Sequence, residues 1–153
     1  MPSQALLPLL DRFSPDNILL MNEKELMSDA DIHAFGIEIV CKQLEKDGWN
    51  IESADIQADI RTSPQIIGHK DGELAHFVVR AGLYPGRGRF EEGQEAFDDL
   101  VRHADSNGAS CYFASVGLAN STGTTDEEMA VAIKGVAYHV QFDGLIRMAL
   151  AKT

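Results

Sequence analysis

Arg61, Lys70, Arg80, Arg87 and Arg89 all fall between residues 61 and 90, a segment that holds only two acids, Asp71 and Glu73. Guanidinium groups gathered in this way hold anions such as phosphate, and Arg80, Arg87 and Arg89 are the candidates for such a site. An arginine stays protonated at any working pH, so it binds charge without serving as a base. Three glycines occur among the arginines in Gly82-Leu83-Tyr84-Pro85-Gly86-Arg87-Gly88-Arg89, and a helical pattern follows. Glycines let backbone amides approach an anion, and a helix N-terminus favours one. The spacing is neither GxGxxG nor GxxxxGK[ST], however, and Glu91 and Glu92 at the helix start would repel a phosphate.

Other chemistry is thinly supplied. His33, His69, His76, His103 and His139 form no HExxH or HxH pattern, and a packing pair across a hairpin is the simplest role for His69 and His76. Ser110, Ser115 and Ser121 lack a GxSxG elbow. Cys41 and Cys111 sit in apolar runs without CxxC spacing and read as two buried free thiols, suited to a reducing cytoplasm. The chain has no apolar run long enough to span a bilayer and no basic-then-apolar leader pattern, so a cytoplasmic, membrane-free protein is expected. A net charge of −11 disfavours nonspecific binding to nucleic acid, which needs clustered cations facing phosphates.

The elements that must position these residues are legible from pattern. Length and a 44% hydrophobic composition suit one core, with residues 1–27 as an N-terminal helical extension and 28–153 as one domain. In the extension, Leu6, Leu9, Leu10 and Phe13 share a helical face, and Ser14-Pro15-Asp16 reads as a cap for a second helix. Ser28 caps a helix over Asp29 to Asp47 that ends at Gly48, and its wide apolar arc predicts burial on two sides. Trp49 to Ile56 alternates weakly as a strand. Pro64 to Arg80 is a β-hairpin, with strand formers Ile66, Ile67, Phe77, Val78 and Val79 about a turn containing Gly72. Phe90 to Ala104 has helical spacing, and Ala109 to Leu118 is an interior strand. Asp126 to Lys134 reads as a short helix, Val136 to Phe142 as a strand, and the stretch through Leu150 as a terminal amphipathic helix. These pieces predict an α/β (α+β) fold with a mixed central sheet flanked by helices.

That order, with a hairpin ending in Phe77-Val78-Val79-Arg80, resembles the restriction-endonuclease-like PD-(D/E)XK superfamily over about residues 29 to 118. The resemblance implies an αβββαβ core, here with an appended C-terminal strand and helix. In that family a helical glutamate precedes a hairpin whose first strand opens with Pro-Asp and whose second ends in Asp/Glu-x-Lys; the acids hold a divalent metal. The matching positions here are Glu38, Pro64-Gln65 and Val78-Val79-Arg80. Gln65 offers a neutral carbonyl in place of a carboxylate, Val78 offers no ligand, and Arg80 cannot act as a base. Glu38 also has Lys42 as an ordinary i,i+4 partner.

A largely dismantled metal site points to a non-catalytic nuclease-fold domain acting as an intracellular binding module, with no metal and no cofactor. Its partner is expected to be a protein in preference to nucleic acid. Two alternatives stand beside this reading. One is a divergent Mg- or Mn-dependent nuclease that uses Glu38 and Gln65 with Asp55 or Asp59; Asp71 and Glu73 at the hairpin turn lie about six residues, or roughly 20 Å, from Val78. The other is an acidic chaperone or immunity-type protein that binds a basic partner.

Overall fold

The computed structural model describes residues 26–150. The expected helical extension falls outside these residues except for Leu26 and Met27, which are not helical: Leu26 forms an isolated antiparallel bridge with Ile133, and the Met27 amide donates to Ala132 O at 2.9 Å. Helix α1 spans Asp29–Lys46 and starts at a capping box, in which the Ser28 side chain accepts from the Asp31 amide and the Asp31 carboxylate accepts from the Ser28 amide. This satisfies two of the amide donors that a helix start leaves without intrahelical partners.

Strands β1 (Asn50–Ala54), β2 (Ile66–Lys70) and β3 (Glu73–Leu83) form an antiparallel meander. The β2–β3 connection is the two-residue turn Asp71-Gly72, with φ of 52° and 84°. Positive φ at both positions is what a type I′ turn requires, and its twist matches that of the flanking strands. Helix α2 (Gln94–Ser106) then returns the chain so that β4 (Ala109–Asn120) pairs parallel to β3 over ten residues, from Leu74↔Ala109 to Leu83↔Leu118. A parallel neighbour requires such a crossover.

Helix α3 is a single turn, Asp126–Met129, shorter than the helix read from sequence. Strand β5 (Tyr138–Gln141) pairs antiparallel with the end of β4, and β6 (Leu145–Met148) pairs antiparallel with its beginning. The C-terminal segment expected to be helical is therefore a strand. Gly144, at φ 104°, breaks any helix there, and the register moves by one residue between Gly117↔Gln141 and Ala114↔Leu145. That is a bulge in one interrupted edge strand. The available edge of β4 outweighed the weak helical period of Leu145 to Leu150. The result is a mixed six-stranded sheet in the order β1-β2-β3-β4-β5, with β6 also on β4.

Side chains alternate across β3, which divides the core. Phe77 and Val79 face α1 with Ile37, Val40, Leu44, Val116 and Leu118, while Val78 faces α2 with Leu100, Val101, Ala104 and Cys111. The segment after β3 folds back on the sheet, and its contact with β3 permits no side chain at two points. A Cβ on Gly88 would fall on the Arg80 carbonyl, and one on Gly82 would stand 2.6 Å from the Arg87 carbonyl carbon. Gly88→Ala is predicted to lose about 3 kcal/mol in urea denaturation, since backbone offers no flexible neighbour to move. Gly86→Ala, whose Cβ would stand 3.3 Å from Leu83 O, is predicted to be milder.

Candidate functional site

The sequence of β3 buries a cation. Arg80 follows three apolar residues and is 7% exposed, so its guanidinium must find partners inside the protein or carry a heavy desolvation penalty. The fold brings it three chain segments. Nε and Nη2 donate to Glu92 Oε1 at 3.0 and 2.8 Å, from the stretch before α2. Nη1 donates to Gln65 Oε1 at 3.1 Å and to Val79 O at 2.9 Å, and Nη2 also donates to Ile60 O at 2.8 Å. All five N–H groups thus have internal acceptors. The guanidinium also lies over the Phe90 ring, 5.2 Å from its centroid.

Gln65 is 1% exposed and stands immediately before β2. Its Oε1 accepts from the Val79 amide at 2.8 Å as well as from Arg80, while Nε2 reaches Ser63 O at 3.4 Å. A carbonyl already shared by two donors is poorly placed to ligate an ion. Val78, at the position where the resemblance implies a ligand, is fully buried beneath α2.

The structure brings Gln65 and Arg80 together but not Glu38. Glu38 is exposed, pairs with Lys42 at 3.3 Å, and lines an open groove of about 570 Å³ with Phe35, Lys134 and Tyr138. On α1 it is His33, not singled out for the site from the sequence, that comes near Arg80. Its Nε2 is buried without a hydrogen-bond partner, and its pKa is lowered by burial first and by the Arg80 charge second. His33 lines a separate cavity of about 310 Å³ with Ile32, Ala81, Gly82 and Leu83. Glu92 was expected to repel anions from a helix end; instead it is the counter-ion of Arg80. The sequence held one signal for such a residue, because a charge inside an apolar strand requires an opposite charge elsewhere.

The relocated acids serve local turns. Asp55 Oδ1 accepts from the Gln57 amide and Asp59 Oδ1 from the Arg61 amide, each at 2.9 Å. Glu73 accepts from the Tyr112 hydroxyl at 2.7 Å, and this bond holds its carboxyl below the usual range. Among the described residues, no group of three or more His, Cys, Asp or Glu could hold a metal ion.

The glycine-rich segment likewise turns its polar groups inward. The amides of Tyr84, Gly86 and Gly88 donate to Leu118 O, Leu83 O and Val116 O at 2.8, 2.8 and 3.0 Å. Arg87 donates through Nε to Ser115 Oγ at 3.2 Å and through Nη1 to Asp143 Oδ2 at 2.7 Å. Lys70 reaches Asp47 O at 2.7 Å beside the Trp49 ring. Of the five clustered cations, Arg61 and Arg89 alone are exposed. No helix among the described residues is long and apolar enough to cross a membrane.

The chain belongs to the family described as "Domain of unknown function (DUF8840)", whose model matches residues 30–148. No curated protein and no solved structure matches it.

Because Arg80 and Glu92 neutralise each other in a largely water-excluded place, removing one partner should do more harm than removing both. Glu92→Leu is predicted to lower stability by about 3–5 kcal/mol, while the double variant Arg80→Met, Glu92→Leu lies closer to the native protein in urea denaturation.

Proposed function

We propose that the protein is a nuclease-like domain without a catalytic role, which acts by binding a protein partner. The observation that carries this reading is the saturation of Arg80: the cation at the end of the hairpin has every donor engaged by Glu92, Gln65, Val79 O and Ile60 O. A group so occupied has no donor left for a scissile phosphate. The order of α1, the antiparallel β1–β2–β3 meander, α2 and the parallel β4 supports the restriction-endonuclease-like part of the reading. The buried Val78 and the shared Gln65 carbonyl support its non-catalytic part.

The neutralised cations favour a partner of particular charge. Arg80 and Arg87 are both paired with carboxylates, which leaves Arg61 and Arg89 as the exposed cations of the basic segment, and the chain as a whole carries −11. A basic protein surface is the complement of such a molecule, which supports the chaperone- or immunity-type form of the reading. DNA, with its own dense negative charge, is disfavoured.

Two measurements test this. Plasmid DNA incubated with the protein in Mg²⁺ or Mn²⁺ should remain intact, and calorimetry should detect no binding of either ion near Glu38 and Gln65; metal-dependent cleavage lost in Glu38→Ala would contradict the reading. A complex recovered with a basic protein should dissociate between about 0.1 M and about 1 M salt, as the Debye length shrinks from about 10 Å to about 3 Å. Retention of DNA with no protein partner would be the opposite result.

A further inference from the structure

We propose that the contact between His76 and His103 is an acid-operated latch, which holds the C-terminal end of α2 on the sheet at neutral pH and releases it as the pH falls. His76 lies on β3, is 3% exposed, and has its Nδ1 buried without a hydrogen-bond partner. His103 is in the last turn of α2, with its ring centroid 5.3 Å from that of His76 and the planes inclined at 52°. The end of the helix is built on the same residue, since the Ser106 hydroxyl and the Asn107 side-chain amide both donate to His103 O at 2.8 Å.

The strands on either side of His76 offer no acceptor for a new positive charge. On β2 the residue opposite His76 is the apolar Ile67, and on β4 it is Cys111. Burial pushes the Cys111 thiol up to about 11, so it remains neutral, and it donates to Met148 Sδ at 3.7 Å. On α2, Asp99 is exposed and paired with Arg102 at 3.4 Å. Asp105 lines a cavity with Cys111 and Arg147, and Arg147 is itself a cation. Neither histidine ring hydrogen-bonds a carboxylate among the described residues.

The two rings therefore share α2 unequally. His103 is exposed at the end of the helix, whereas His76 is buried. Burial first and the neighbouring His103 second lower the pKa of His76. With the closed-state pKa depressed, the closed form binds fewer protons than a form in which His76 reaches water. Closure is complete above the ordinary histidine value near 6.5 and weakens as pH drops below it. Release would uncover Val78 and the apolar face of α2, formed by Leu100, Val101 and Ala104.

Hydrogen exchange of the full chain tests the latch. After correction for intrinsic rates, amides of residues 94–106 should exchange roughly 25-fold faster at pH 5 than at pH 7, the linkage limit for one ordinary histidine exposed on opening. The β2–β3 hairpin should not follow, and His76→Phe, which keeps an apolar ring in place, should remove the acid response of α2. Unchanged protection of α2, or an acid response retained in His76→Phe, would overturn the proposal. If that variant does not fold, an NMR titration of the native imidazoles decides: His76 titrating below 6.5 in step with loss of α2 protection supports the latch, and titration at or above 6.5 overturns it.

Discussion

A guanidinium inside a sheet needs acceptors, and satisfying Arg80 ties together parts of the chain that the strands alone leave separate. Ile60 belongs to the loop before β2, Gln65 to the start of the hairpin and Glu92 to the approach to α2; all three converge on one side chain. Each hydrogen bond to a charged group contributes on the order of 1.5–3 kcal/mol, but leaving such a charge unpaired costs more than making the bond gains. The pair therefore acts as a constraint on geometry: the segment that carries Glu92 into α2 cannot move far from the hairpin without leaving Arg80 buried and unpaired.

The same constraint explains the segment between β3 and α2. The Tyr84 and Gly88 amides donate to the β4 carbonyls of Leu118 and Val116, and the Arg87 guanidinium donates to Ser115 and Asp143. A run that resembles an anion cradle in composition is here a strap whose small residues permit backbone to cross backbone. Asp143 can reach Arg87 because the bulge between β5 and β6 places it on the interrupted edge strand. Two cations of the basic segment, Arg80 and Arg87, are thus paired with acids within the fold, while Arg61 and Arg89 stay exposed.

Features governed by neighbours in sequence were the legible ones. The Ser28 cap, the Asp71-Gly72 turn, the alternation of Phe77, Val78 and Val79 and the apolar run of β4 each follow from local stereochemistry or periodicity, and each appears where those rules put it. The segment 145–150 did not follow its pattern, because four residues with both helical and strand character take whichever partner is present, and β4 had an open edge. Gln65 and Arg80 were both singled out in the sequence, through the family resemblance, as positions of one site. The Glu92 counter-ion and the approach of His33 were not, since both depend on how α1 and the strap pack, a property absent from any short window of sequence. Cation clustering gave the least faithful signal: proximity in sequence predicted an anion site at Arg80, Arg87 and Arg89, whereas side-chain direction and burial paired two of them with acids.

All five N–H groups of Arg80 are bound inside the fold. The most direct measurement is the NMR signal of its Nε–H during titration with inorganic phosphate and with duplex DNA. A proton so bound is expected to exchange slowly and to keep a constant shift through both titrations. Rapid exchange with solvent, together with a saturable shift on adding either anion, would contradict it.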